Sequence, residues 1–202
     1  MLISPSDAFE QDNGYAGAHG RASPIERRKA LARGRIVHRL MQSLPDIPAA
    51  ARKAAVEHYL KIAAADFTPA ERADMARRVI TILHDLVFAD LFDPGSRAEV
   101  PIAGRLAREG APALIVAGQV DRLAVIRDLV LLADYKTDRT PPRTPAEVPG
   151  AYATQLALYR AILARVYPGK TIRTALIFTE EPSVIELPGV VLDAALATAL
   201  AR

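Results

Sequence analysis

The chain contains no cysteine, which excludes disulfides, thiolate zinc sites and iron–sulfur clusters and fits a reducing compartment. No apolar run approaches the length of a membrane span, and the first residues lack the charged-then-apolar pattern of a secretory signal, so a soluble, cytoplasmic protein is expected. A working phosphate loop is also missing. Ala164–Thr171 ends in Gly-Lys-Thr, but its order is helix, loop, strand, where the nucleotide-binding motif needs strand, loop, helix. No ATPase activity is expected. What is present is a chain of 202 residues, half of them hydrophobic, enough for one domain with a substantial core. The net charge of +3 leans mildly toward polyanionic partners.

Residues 1–22 are rich in Gly, Ser, Asp and Asn without periodicity and read as a flexible lead-in or linker. Order is expected from Ser23, where Ser23-Pro24-Ile25-Glu26 supplies an N-cap, a proline at the first helical position and an acid at N3, a capping box. The helix should run to about Leu44. It carries Arg27, Arg28, Lys29, Arg33, Arg35 and Arg39 against the single acid Glu26. Within it Gly34 and His38 share a face. A glycine in mid-helix costs about 1 kcal/mol relative to alanine, so it suggests close approach by another backbone or a ligand, and His38 can use that space. Residues 48–65 and 68–92 read as two further helices, the second opened by the capping box Thr68-Pro69-Ala70-Glu71. Their apolar positions make them scaffold, and His58 and His84 find no partner at metal-binding spacing.

The densest pattern lies between Leu114 and Thr137, where two runs rich in Val, Ile and Leu flank the polar pair Arg127-Asp128. This reads as an antiparallel hairpin. With Arg127-Asp128 as the loop, Asp121 falls opposite Asp134, and the strand period of two returns Lys136 to the face of Asp134. Opposed carboxylates at the ends of apolar strands repel. Lys136 or a divalent metal with oxygen ligands, or both, is expected to offset them. Arg97–Ile102 reads as a further strand; pairing with the Leu114 strand through a loop near Gly110 brings Glu99 close to Asp121. After a proline-rich crossing from Pro141 to Pro149, Ala151–Val166 reads as an amphipathic helix carrying Gln155 and Tyr159 four residues apart. Thr171–Phe178 and Ser183–Leu187 follow as strands, and Val191–Arg202 as a terminal helix.

Five groups occur in order: Gly34-x-x-x-His38, Glu99-Val-Pro-Ile, Gly118-Gln-Val-Asp121-Arg-Leu, Asp134-Tyr-Lys136-Thr and Gln155-x-x-x-Tyr159. Over roughly residues 30–187 this resembles the RecB-like branch of the PD-(D/E)XK nucleases, and more closely the C-terminal nuclease domain of the AddA helicase–nuclease subunit. The resemblance implies an α/β, restriction-endonuclease-like mixed β-sheet flanked by α-helices, with an N-terminal helical part, over residues 23–202. It implies Mg²⁺, with Mn²⁺ as an alternative, held by His38, Asp121, Asp134 and the carbonyl of Tyr135. It implies a catalytic Lys136 acting with Asp121 and Asp134. Glu99 matches a family acid, and Gln155 and Tyr159 match a helix expected to orient Lys136 or a DNA phosphate. The implied activity is hydrolysis of phosphodiester bonds in single-stranded DNA during helicase-coupled processing of double-strand breaks, with an attached helicase portion and an AddB-like subunit as partners and no membrane. The alternative is a non-catalytic DNA-binding or assembly module of a helicase–nuclease complex. AddB itself and Cas4-like nucleases carry four cysteines for an iron–sulfur cluster, which this chain lacks.

Overall fold

A computed structural model describes residues 2–3, 23–84, 86–93 and 95–201. Most of the lead-in read over residues 1–22 lies outside the described residues; Leu2–Ile3 form a short strand, β1. Both capping boxes are formed. Ser23 Oγ accepts from the Glu26 N–H at 3.2 Å while Glu26 Oε2 accepts from the Ser23 N–H at 2.7 Å, opening α1 (Pro24–Ser43). Thr68 and Glu71 repeat the exchange at 3.3 and 2.8 Å, opening α3 (Pro69–Leu83). Such a cap contributes about 1 kcal/mol. Between them lies α2 (Ala49–Ala63). The single helix expected over residues 68–92 is corrected: α3 stops at Leu83 and a 3-10 segment, Leu86–Phe92, follows. The chain is drawn toward the sheet there, with Leu91 and Phe92 buried and the Leu91 carbonyl accepting from Arg122 Nε at 3.3 Å.

The sheet contains β2 (Arg97–Arg108), β3 (Ala111–Ile126), β4 (Leu129–Lys136), β5 (Thr171–Phe178) and β6 (Ser183–Glu186). Helix α4 (Gly150–Val166) joins β4 to β5, and α5 (Gly189–Leu200) follows β6. The strand expected to end at Ile102 continues to Arg108, so the long loop expected there is a tight turn over Glu109 and Gly110, the glycine at φ +67°. The β3–β4 hairpin turns at Arg127-Asp128 as the sequence indicates, with Ile126 paired to Leu129.

The strand order is β1-β3-β4-β5-β6, with β2 along the other side of β3. The β4–β5 and β1–β3 pairs are parallel and the rest antiparallel, giving a mixed sheet flanked by helices. One core lies between the sheet and α1–α3, taking Leu131, Ala133, Ala175 and Ile177. The other lies under α4 and α5, taking Val130, Leu132, Leu176 and Phe178. That alternation on β4 and β5 follows the pleat, and it sends Asp134 and Lys136 toward α4. Among the described residues no helix is long and apolar enough to cross a membrane.

Candidate active site

The site forms where β3 loses its alternation. Leu114, Val116 and Val120 belong to the core under α4 and α5, but Leu123 belongs to it as well, while Ala124 belongs to the core under α1–α3. The phase slips between Val120 and Leu123. Across the ladder, Ala98 pairs with Arg122 and Val100 with Val120, leaving Glu99 unpaired between them at φ +53°. A non-glycine residue in the left-handed region costs about 1–3 kcal/mol and is kept where the surroundings over-determine it. At this irregularity the Glu99 and Asp121 side chains meet α1.

His38, on α1, stands with Nε2 3.2 Å from Asp121 Oδ1 and 3.6 Å from Glu99 Oε1. The three ligating atoms lie within 4.8 Å of one another. The β3–β4 ladder ends at Arg122–Ala133, and the Asp121 side chain takes the Tyr135 N–H just past it, Oδ2 accepting at 2.6 Å. The Tyr135 ring stands edge-on to the imidazole, centroids 5.7 Å apart. The hydrogen bond that His38 Nε2 makes to Asp121 chiefly, then the charges of Asp121, Glu99 and Asp134, raise the His38 pKa above its ordinary value against the opposing effect of burial.

A second trio sits beside the first. Lys136 Nζ lies 2.7 Å from Asp134 Oδ2 and donates to Gln155 Oε1 at 2.9 Å, while Gln155 Nε2 donates to Asp134 Oδ1 at 2.9 Å. The ammonium also rests 4.3 Å above the Tyr152 ring, whose hydroxyl donates to Asp138 at 3.1 Å. The Lys136 carbonyl accepts from the Thr179 N–H at 2.9 Å, tying β4 to the end of β5. Burial raises the Asp134 pKa first of all; Lys136 opposes that rise and Asp121 adds to it.

The expected residues therefore fall into two groups rather than one. His38, Asp121 and Glu99 form the candidate metal cluster; Asp134, expected among the metal ligands, is not one of those three, its Oδ1 accepting from Gln155 and its Oδ2 lying 2.7 Å from Lys136 Nζ without a hydrogen bond. Tyr135 reaches the cluster through its N–H and ring. Tyr159, expected at the site, is fully buried against Gly118, where an added Cβ would fall inside van der Waals contact with its hydroxyl. It braces α4 under β3. Gly34 does not face His38 across a tight gap: a Cβ there would meet only Thr137 Cγ2 at an ordinary 3.5 Å. Sequence reasoning missed Tyr152, three residues before Gln155 and so on the same helix face, and Arg122. The latter is wholly buried, and its guanidinium binds Ser96 Oγ at 2.9 Å and the Gln42 carbonyl at 3.2 Å, fastening α1 to the sheet.

The first trio fits a divalent cation. Glu99 Oε1 is buried without a hydrogen-bond partner, and two carboxylates facing one imidazole leave negative charge uncompensated whether or not the histidine is protonated. Two carboxylates with one imidazole nitrogen are a donor set for a divalent metal. Strand-end carboxylates beside a held lysine thus lie on a mixed sheet between helices. The family model described as "PD-(D/E)XK nuclease superfamily" matches residues 15–200. The chain belongs to the PD-(D/E)XK nuclease superfamily, a family of metal-dependent nucleases. No curated protein matches it. Among solved structures, 29 chains match. One, described as "Crystal structure of SSO0001", is 14% identical over 82% of this chain and 75% of that one, with a TM-score of 0.35.

Proposed function

We propose that this nuclease is a Mg²⁺-dependent deoxyribonuclease that hydrolyses single-stranded DNA during helicase-coupled processing of double-strand ends, in the manner of the AddA nuclease domain. The observation that carries the reading is the open His38–Glu99–Asp121 trio set beside the held ammonium of Lys136. These three residues would hold the metal, which when bound activates water and neutralises charge on the phosphate oxygens. Lys136, fixed by Asp134 and Gln155 and backed by Tyr152, donates to the charge that grows on the scissile phosphate. Gln155 keeps Asp134 and Lys136 in register with each other. The imidazole donor makes Mn²⁺ an effective substitute for Mg²⁺.

Support for a DNA substrate comes from the basic residues of α1, which suit a sugar–phosphate backbone and predict little sequence preference with marked salt sensitivity. The order of the five motifs supports an AddA-like setting, with a helicase portion and an AddB-like subunit as partners. Cleavage of end-labelled single-stranded DNA with and without EDTA tests the function. Loss of cleavage in EDTA, and in Asp121→Asn and Lys136→Met, is expected; undiminished cleavage by Lys136→Met sinks the assignment. The ion pair between Asp134 and Lys136 favours one competing reading, a non-catalytic DNA-binding module. DNA binding without cleavage in either Mg²⁺ or Mn²⁺ would select it.

A further inference from the structure

An open cleft of about 560 Å³ is lined by Arg33, Arg78, Arg139, Glu180 and Glu181. Its cations come from three separate parts of the fold: α1, α3 and the segment after β4. Arg33 Nε donates to Glu180 Oε1 at 2.7 Å, and Arg78 Nη1 reaches Glu180 Oε2 at 3.2 Å and also the Glu180 carbonyl. Glu180, with its side chain only 11% exposed, thus fixes two guanidiniums from different helices. Arg78 Nη2 also pairs with Asp74 Oδ2 at 2.6 Å, while Arg33 keeps donors beyond those that Glu180 takes, a guanidinium carrying five. Arg139 is exposed and makes no hydrogen bond or ion pair among the described residues.

The cleft begins where the active site ends. Thr179, immediately before Glu180, donates its N–H to the Lys136 carbonyl at 2.9 Å, and Arg139 is three residues beyond Lys136. Arg33 precedes Gly34, which lies one turn before His38 on α1. No packing contact demands that glycine, since an added Cβ would find only the Thr137 methyl, at 3.5 Å.

We infer that Arg33, Arg78 and Arg139 form a phosphate-binding subsite for the sugar–phosphate backbone of the strand being cut. The planar, multi-donor guanidinium suits phosphate oxygens. Glu180 sets the first two arginines in place, and Arg139, whose charge also acts on Glu26 of α1, adds a third guanidinium to the cleft. The inference rests on the proposed nuclease reading and adds the path of its substrate.

The test is binding of a fluorescent single-stranded oligothymidylate to the full chain in EDTA, over a series of salt concentrations. For single strands each phosphate contact contributes about 0.7 to the slope of log affinity against log salt. Arg139→Gln should therefore flatten the slope by about 0.7, with no change in Tm because Arg139 holds nothing in the fold. Arg33→Gln with Arg139→Gln should flatten it by about twice that. If wild type binds DNA and Arg139→Gln keeps the full slope, the subsite is wrong and the nuclease reading survives. If wild type neither binds nor cuts DNA, both fall. Inorganic phosphate should compete no better than chloride at equal ionic strength; Arg139-dependent displacement specific to phosphate would assign the cleft to free phosphate instead.

Discussion

The two trios of the active site differ in how they handle charge. In the first, His38, Glu99 and Asp121 keep side chains 35%, 30% and 17% exposed and hold two acids against at most one cation. In the second, Asp134 and Lys136 are 6% and 13% exposed and ion-paired, with Gln155 hydrogen-bonded to both. An open cluster with unspent acceptors is ready for an ion from outside. A closed one already contains its own cation and is built to hold a reacting group still. The same sheet end carries both because β3 slips phase at Asp121 while β4 keeps its alternation through Lys136.

The largest effect should come from breaking the closed trio. Lys136→Met leaves the buried Asp134 carboxylate without its cation and should cost roughly 3 kcal/mol in urea denaturation. Cleavage should fall about 10²–10⁴-fold. Asp134→Leu combined with Lys136→Met should recover most of the stability and none of the cleavage, since the orphaned charge is gone but so is the chemistry. A single Lys136→Met variant as stable as wild type would show that the two trios are not different in kind.

The open trio should respond the other way, through metal rather than through the fold. Mn²⁺ at a hundredfold excess over its Kd should stabilise wild type by about 2.7 kcal/mol. Asp121→Asn or Glu99→Gln should remove half or more of that gain in a thermal shift with and without metal. An unaltered shift in both would move the metal to another place.

A smaller effect separates the metal-free from the metal-loaded state by pH. The His38 pKa is raised in the folded, metal-free protein. Its contribution to stability is therefore fully present below the unfolded value near 6.5 and is lost as pH rises through the folded value. Metal needs the neutral imidazole, so the gain from Mn²⁺ should grow over that same rise. Tm in EDTA and in Mn²⁺ against pH should converge at low pH, and His38→Asn should remove the pH dependence of the difference.

The smallest effect lies outside both trios. Arg173 and Glu186 form a bidentate pair between β5 and β6, both 37% exposed. Arg173→Gln should cost less than about 1 kcal/mol and leave cleavage unchanged, a control for surface charge that a large loss would upset.

Much of this arrangement was legible before any coordinates, and the reasons are local. The capping boxes at Ser23 and Thr68 are set by residues three apart. The β3–β4 turn follows from one polar pair between two apolar runs, and it carries the pairing register with it. What was hidden depends on distant neighbours. The apolar pattern of α3 runs on past Leu83, yet the helix ends there, because residues 91 and 92 are taken into the sheet-side core by contact with Arg122. Gln155 and Tyr159 share a helix face, but one meets Lys136 and the other lies beneath Gly118. Gly118 is 41 residues before Tyr159 in the chain, too far for a local pattern to disclose the fit.

Sequence alone determined where the capped helices start, how the central hairpin pairs, and that Asp134 and Lys136 share a face, because helix caps and strand periods act over a few residues. Only the tertiary structure decided that the acids divide into an open cluster and a closed one. The left-handed backbone at Glu99 and the break in β3 send Asp121 toward His38, while α4 delivers Gln155 to Asp134. Those partnerships join residues tens of positions apart, and packing rather than local preference selects among them.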